Sequence, residues 1–345
     1  MIIEFSVTNF RSIKNRQTLD FTMNGRVSKK ELDENLILPI EKSHGSALLS
    51  SAIVFGANAS GKSNFLKAIR YFLSMVEESQ YNKLDKPIAA YEPFKLDNAS
   101  KKLPITFEID FIAKDKKRYI YTVAFSKFKI ISEELFYYEA GKKKSIKSLL
   151  FSRDSASQVY FGESYRGKKD FALNPNQLLL SKAGVDALPS IVEAYRFFTK
   201  YSYYLDAQTA MTESEMLNMA EEILIEDLFG YKDAVVSLIR AADIGISDVL
   251  MPNNDESPKK RIKTIHPIYE NGVHKGEEVF DLSDESNGTI KLLGVASFIV
   301  DALTTGSVII VDELDKSLHP LLTRMLIQLF HNKATNPNNE SSHYS

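Results

Sequence analysis

The stretch that decides the fold spans residues 56–63 and reads GANASGKS. It matches the pattern G-x-x-x-x-G-K-[ST] at every required position. The apolar run 48–55 precedes it and predicts a buried strand, while apolar side chains at helical spacing follow it from Ser63 to Val76. A strand, a glycine-rich turn and a helix in this order predict a loop whose backbone N–H groups, together with the helix N-terminus, face a phosphate group.

The residue types within this loop predict how a nucleotide is held. Glycines let the backbone curl around the phosphates, Lys62 is predicted to reach the outer phosphates, and the Ser63 hydroxyl is predicted to bind Mg²⁺. The guanine-reading pattern N-K-x-D begins only 20 residues after Lys62 (82 − 62), without an intervening strand, so ATP is favoured over GTP. The predicted cofactors are ATP and Mg²⁺, and the predicted contacts of the loop are Gly56, Asn58, Ser60, Gly61, Lys62 and Ser63.

A second apolar run, 308–311, ends at two acids, Asp312 and Glu313. In P-loop enzymes an acid at this strand end holds the metal shell, which is the role predicted for Asp312. The acid that follows it is placed to polarise an attacking water, so Glu313 and Lys62 are the predicted catalytic residues. Two solvated acids that merely cap a strand are the alternative interpretation.

The segment Glu285-Ser286-Asn287-Gly288-Thr289 opens an apolar helix and lies 26 residues before Asp312 (312 − 286). A serine followed by glycine at a helix start is consistent with a simple N-cap. It is also consistent with a signature motif, in which Ser286, Gly288 and the helix N-terminus meet the γ-phosphate bound by a second copy of the chain. Both interpretations stay open at this point.

Four segments together resemble the RecF/SMC/OLD-like branch of the ABC ATPases, and especially the RloA/AbiL-type ATPases of phage-defence loci. They are Asn9-Phe10-Arg11-Ser12, the loop 56–63, the segment 285–289 and the string DELDKSLHP at 312–320. The resemblance implies an ATP-dependent, head-to-head homodimer that acts beside a nuclease or another effector protein. It also implies that Arg11 and Ser12 lie near the nucleotide.

The fold class predicted is α/β, a P-loop NTPase with an ABC-ATPase-like head, an antiparallel β subdomain and a helical insertion. Strict alternation over 105–111 and again over 119–125, on either side of the charged turn 114–117, predicts an antiparallel hairpin with a third strand near residues 128–130. We expect a P-loop lobe with the β subdomain over 1–185, a helical insertion over 186–252, and the signature and Walker B part over 253–331. The polar residues 332–345 are expected to be unfolded. Because related heads continue into a further strand and a switch histidine, the chain looks truncated, which leaves hydrolysis open.

The composition limits the classes of partner. A formal net charge of −2 over 345 residues gives no global attraction to nucleic acid or anionic membrane. The first residues do not resemble a signal peptide, and the apolar stretch 292–300 is well short of the roughly 20 residues that span a bilayer. We therefore expect a cytoplasmic protein without a membrane partner. The basic clusters Lys142-Lys143-Lys144 and Lys259-Lys260-Arg261-Lys263 are more often solvated turn residues, with local contact to a DNA backbone as the alternative. Three functions remain: an ATPase switch, a nucleotide-binding assembly subunit without hydrolysis, and a DNA-processing ATPase.

Overall fold

The computed structural model divides the chain into two compact units, which we call the N-terminal unit (Met1–Ser202) and the C-terminal unit (Tyr203–Asn339). Each unit is described by itself. The residues that the structure describes are 1–23, 28–33, 37–39, 47–57, 59–138, 146–167, 170–206, 231–241, 245–250, 262–312, 320–332 and 334–336.

The N-terminal unit is built mainly from one large sheet and the helices on it. Its strands are β1 Ile2–Thr8, β2 Gln17–Asp20, β3 Ile37–Pro39, β4 Ala47–Leu49, β5 Ile105–Ile112, β6 Arg118–Phe125, β7 Ile130–Tyr138, β8 Lys147–Arg153 and β9 Val159–Phe161. Its helices are α1 Lys29–Asp33, α2 Lys62–Glu78, α3 Leu179–Val185 and α4 Val192–Thr199. Short 3₁₀ turns span Ser79–Tyr81 and Ser100–Lys102.

Seven strands form the large sheet in the order β2-β1-β5-β6-β7-β8-β9, and each neighbouring pair is antiparallel. The predicted hairpin is confirmed, because β5 pairs with β6 from Ile105 opposite Phe125 to Ile112 opposite Arg118. The third strand begins at Ile130, since Phe128 lies half exposed in the preceding turn. Alternating apolar side chains turn one face of this sheet towards the helices.

Aromatic side chains fasten α2 to the sheet. Phe72 is 1% exposed. Its ring centroid lies 5.3 Å from that of Phe107, 5.5 Å from that of Tyr121 and 5.4 Å from that of Phe198. Phe65, two turns earlier on the same stripe, makes an edge contact with Phe5 of β1 at 5.5 Å. The helix that follows the glycine-rich loop is therefore fixed against β1 and its neighbours.

The prediction of a buried strand over 48–55 is wrong beyond its first residues. Strand β4 ends at Leu49, where it pairs with β3, and residues 51–57 have no regular structure as far as they are described. Ile53 is 58% exposed, Val54 41% and Phe55 85%. An apolar run is buried as a strand only where neighbouring strands pair with it and other elements cover it. Within the described part of the N-terminal unit no strand pairs with this run beyond Leu49.

The C-terminal unit is built around one apolar helix, against which several of its other elements pack. Its strands are β10 Ser202–Asp206, β11 Asp248–Leu250, β12 Lys263–Glu270, β13 Val273–Asp281 and β14 Val308–Asp312, and its helices are α5 Tyr231–Ala241, α6 Asn287–Thr305 and α7 Pro320–His331. A 3₁₀ turn, Leu282–Asp284, leads into α6. Strands β11, β12 and β13 form an antiparallel sheet, and β10 pairs with β14. The predicted helices after residues 288 and 320 and the strand over 308–311 are confirmed.

Helix α6 is the core of this unit. Leu292, Leu293, Ala296 and Ile299 are at most 2% exposed and pack against side chains from α5 and α7. By length and composition the stretch Gly288–Thr305 would be able to cross a membrane, but 76% of it is buried inside the protein. The burial accounts for its apolar composition, as in the core helix of a globular domain.

Two predicted segments differ from expectation. The region 186–252 contains helices α4 and α5 but also strands β10 and β11, while 207–230 and 242–244 lie outside the described residues. The start of the predicted unfolded tail instead forms a turn, in which Asn336 is 5% exposed and donates to the Phe330 carbonyl at 3.1 Å. Residues 337–345 lie outside the described part. The division at 185 and 252 stays a prediction; the boundary between the two units falls after Ser202.

Candidate functional site

The glycine-rich loop turns into α2 through two left-handed residues. Ala59 has φ 64° and Gly61, the N-cap of α2, has φ 98°. The Ser60 N–H donates to the Ala57 carbonyl at 3.2 Å, and the Phe65 N–H donates to the Gly61 carbonyl at 2.9 Å. Glycine adopts this conformation without the steric cost that a Cβ atom brings.

The N-terminus of α2 is open to an anion. Its N-cap residue, Gly61, has no side chain to accept from the first-turn N–H groups, and no acid occurs in the first turn. The orphan N–H groups and the positive end of a 17-residue helix are therefore available to a ligand. The neighbouring loop residues Gly56, Ala57 and Ser60 are exposed. This arrangement fits a phosphate group.

Lys62 is folded back over the loop. Its Nζ donates to the carbonyls of Gly56 at 2.6 Å and Ala57 at 3.0 Å. A Cβ atom at Gly56 would lie 2.8 Å from Oγ of Ser60, so a larger residue here would require the Ser60 side chain to shift. The Lys62 ammonium is therefore held at the loop by two neutral carbonyls. A bound phosphate would replace these carbonyls as the acceptor, because its negative charge makes the hydrogen bond stronger.

Two further predicted loop residues are less defined. Ser63 lies in the first turn of α2 and is half-buried. Asn58 lies outside the described residues. The contacts of both with nucleotide or Mg²⁺ remain predictions.

Asn9 anchors the turn that carries Arg11 and Ser12. Its side chain is buried, and its Nδ2 donates to the carbonyls of Ser100 at 2.9 Å, Leu103 at 3.0 Å and Pro104 at 3.2 Å. Its Oδ1 accepts from the Phe94 N–H at 3.2 Å. With φ 58°, Asn9 occupies the left-handed region, which asparagine tolerates better than most residues. The first residue of the Asn-Phe-Arg-Ser motif is thus a structural anchor.

Ser12 lies against the end of the glycine-rich loop. Its Oγ accepts from Nδ2 of Asn64, in the first turn of α2, at 2.8 Å. A Cβ atom at Gly61 would lie 3.1 Å from the same Oγ. The structure therefore brings the Asn9–Ser12 turn to the N-terminus of α2, while a direct contact between Ser12 and nucleotide remains a prediction.

Arg11 is held in place by Glu92, which lies between α2 and β5. Its backbone N–H donates to the Glu92 carbonyl at 2.7 Å, and its Nε lies 3.3 Å from Oε2 of Glu92. Tyr71 of α2 donates its hydroxyl to Oε1 of the same carboxylate at 3.0 Å. Burial, and then the Glu92 carboxylate, raise the pKa of Tyr71, so the phenol keeps its proton. Glu92, Tyr71 and Asn64 were missed from the sequence, because no local pattern links them to the motif.

In the C-terminal unit, Ser286 is the N-cap of α6. Its Oγ accepts from the Thr289 N–H at 3.1 Å and lies 2.9 Å from Oγ1 of Thr289. Ser286 and Gly288 are both exposed. The N-cap interpretation is therefore confirmed, and the serine is exposed at the helix terminus. Its contact with the phosphate bound by a second copy remains a prediction.

The predicted metal and catalytic acids lie at the end of β14. Asp312 is the last residue of the strand and is 8% exposed. Glu313 lies outside the described residues, as does the rest of the segment 313–319. Asp312 belongs to the C-terminal unit and Ser63 to the N-terminal unit, so a shared Mg²⁺ site remains a prediction. In the part of the chain that the structure describes, His, Asp and Glu side chains form no cluster of three that would hold a metal ion.

The loop, its lysine and the open helix N-terminus together define a P-loop nucleotide-binding site. A model of the family described as "AAA domain, putative AbiEii toxin, Type IV TA system" matches residues 51–341. The match covers most of the chain, which therefore belongs to this family and is a P-loop ATPase domain of the AAA type. Membership implies nucleotide binding, typically with Mg²⁺. A comparison with curated proteins finds no match.

Proposed function

We propose that this chain is an ATP-dependent switch: MgATP bound at the loop 56–63 joins two copies head to head, and hydrolysis separates them. The observation that carries the proposal is the open N-terminus of α2 with Lys62 folded over the adjacent loop. The helix N-terminus and the Lys62 ammonium both lack an anionic partner within the described loop, and both place positive charge at the loop 56–63. Family membership supports the same ligand.

The residues divide the work between binding and turnover. Lys62 exchanges the carbonyls of Gly56 and Ala57 for the outer phosphates, and the α2 N–H groups donate to the same anion. Mg²⁺, when bound, neutralises phosphate charge, and Ser63 and Asp312 are the residues proposed to hold it. Glu313 is proposed to orient and polarise the attacking water.

The second copy completes the site in this proposal. Its exposed Ser286 and the N-terminus of α6 approach the γ-phosphate, in line with the resemblance of 285–289 and 312–320 to the signature and Walker B segments of RecF/SMC/OLD-like and RloA/AbiL-type ATPases. The family description names a toxin–antitoxin system. We therefore propose a cytoplasmic defence role in which a nuclease or another effector senses the dimer. DNA contact by the basic clusters at 142–144 and 259–263 stays a prediction. Of their lysines and arginine the structure describes Lys263 alone, whose Nζ lies 3.1 Å from Oδ1 of Asp281.

The proposal is tested by sedimentation velocity with and without MgATP. A Glu313→Gln variant is expected to form a dimer only with MgATP, and adding Ser286→Arg is expected to abolish that dimer. Thr304→Arg is the matched control, because Thr304 is exposed at the opposite end of α6. Monomers of Glu313→Gln at saturating MgATP would contradict the proposal.

Phosphate release separates the switch from its main alternative. The wild-type chain is expected to hydrolyse ATP, and Glu313→Gln is expected to lower the rate at least about a hundredfold, as loss of a positioned base typically does. MgATP-dependent dimers without Glu313-dependent turnover would instead identify a nucleotide-binding assembly subunit.

A further inference from the structure

We propose that His266 and Glu285 are positioning residues for Ser286, and that they fix the loop before α6 in the orientation that the ATP-dependent dimer requires. The proposal rests on the proposed function for its consequence, but its structural part concerns the C-terminal unit alone. The residues involved lie on β12 and in the loop that joins β13 to α6.

The carboxylate of Glu285 is tied to β12 by two side chains. Its Oε1 accepts from Oγ1 of Thr264 at 2.5 Å and lies 2.6 Å from Nε2 of His266. Because an ionised carboxylate only accepts hydrogen bonds, the network assigns the proton to Nε2 of the ring. The Glu285 side chain is 8% exposed and the His266 ring 22% exposed. The ring also packs against Phe280 of β13, with centroids 4.6 Å apart.

Glu285 directly precedes Ser286, so its contact with β12 bears on where Ser286 lies. Its backbone N–H donates to the Leu282 carbonyl at 3.2 Å, and the next residue, Ser286, is the N-cap of α6. A short loop therefore connects β13 to the helix, and a nearly buried carboxylate in it is fastened to β12. Burying a carboxylate costs free energy unless its partners hold it well. The orientation of Ser286 then depends on the contact that Glu285 makes.

The structural part is tested by amide hydrogen exchange in the nucleotide-free chain. The reporter is the Thr289 N–H, which donates to Oγ of Ser286. His266→Ala is expected to raise its exchange rate about tenfold, the effect of losing one charge-assisted hydrogen bond. Glu285→Ala, which also removes the Thr264 contact, is expected to raise it at least as much. His266→Gln, whose Nε2 replaces the ring donor, is expected to keep the protection. His274→Ala, a histidine on β13 that contacts Tyr269, is the matched control.

The functional part is tested by the dimer dissociation constant with MgATP in the Glu313→Gln background. His266→Ala is expected to weaken the dimer about tenfold, whereas the affinity of the monomer for MgATP stays within twofold, because His266 is not among the residues proposed to hold the nucleotide or Mg²⁺. The double variant His266→Ala/Glu285→Ala is expected to be no weaker than Glu285→Ala, because that single variant already removes the His266 contact together with the Thr264 contact.

Each outcome decides the inference. Unchanged Thr289 protection in His266→Ala overturns it, and so does lost protection with an unchanged dimer. If the Glu313→Gln parent itself forms no dimer with MgATP, the proposed function fails, and the exchange rates then decide the structural part alone. A general loss of stability would weaken monomer nucleotide binding as well and would not be rescued by His266→Gln.

Discussion

Replacing Asn9 by alanine should detach the Arg11–Ser12 turn from the N-terminal unit. The side chain donates to three backbone carbonyls and accepts from the Phe94 N–H, while only 3% of the residue is exposed. Alanine supplies none of these partners, and with φ 58° it also places a Cβ atom in a strained backbone conformation.

The magnitude follows from three contributions. Each hydrogen bond is worth about 0.5–1.5 kcal/mol net, and removing the Asn9 acceptor from the part-buried Phe94 N–H costs about 1–3 kcal/mol. The left-handed conformation costs an alanine about 1–2 kcal/mol. Because the contributions overlap, we expect Asn9→Ala to lower the free energy of unfolding by about 4 kcal/mol. Asn9→Gly removes the strain and should lose about 1 kcal/mol less.

The assay is urea unfolding followed by far-UV circular dichroism, since the chain contains no tryptophan. Hydrogen exchange of peptides from β1 and β5 locates the effect in the N-terminal unit. The MgATP affinity of Asn9→Ala should also fall about tenfold, because Ser12 leaves the end of the glycine-rich loop. A loss of stability below about 1 kcal/mol, the average for point substitutions, would refute the role of Asn9 as an anchor.

Three further predictions concern the same unit. Phe72→Ala should cost about 3–5 kcal/mol in urea unfolding, because its buried ring packs on β5, β6 and α4; a cost below about 1 kcal/mol would contradict this packing. Gly61→Ala should weaken MgATP binding at least about tenfold in calorimetry, because alanine is strained at φ 98° and its Cβ atom would lie 3.1 Å from Oγ of Ser12; unchanged affinity would show that the loop adjusts. Hydrogen bonds from Ser100 and Lys14 lower the pKa of Asp97 to about 2 from 3.8. Its stabilisation is thus complete above pH 3.8 and lost as the pH falls through about 2, and a carboxyl NMR titration with a midpoint near 3.8 would exclude it.

Periodicity predicted the elements whose partners are close in sequence. The hairpin β5–β6 and helix α2 were confirmed because alternation and helical spacing state directly which face is buried. The same logic failed for Val54 and Phe55, whose apolar character says nothing about whether other strands pair with them. Strand β13 was missed for the opposite reason: it is an edge strand with a mostly exposed, polar sequence.

The candidate site divides in a similar way. The P-loop could be predicted because each position in it has a fixed chemical requirement, which the pattern G-x-x-x-x-G-K-[ST] records. The contacts of Arg11 with Glu92 and of Glu285 with His266 could not, because they join residues distant in the chain through side chains that many structural roles would also favour. Asn9 was noticed as part of a motif, but its four hydrogen bonds emerge only in the fold.

The most direct test of the central claim is calorimetric titration of the chain with MgATP, comparing wild type with Lys62→Ala. The account predicts binding by the wild type and at least about hundredfold weaker binding by Lys62→Ala, since two charge-assisted hydrogen bonds are worth about 3 kcal/mol or more and each 1.4 kcal/mol is tenfold. Lys67→Ala, on the same helix but beyond its first turn, should bind as the wild type does. Equal affinities of wild type and Lys62→Ala, or no binding by the wild type, would contradict the assignment of a nucleotide to this loop.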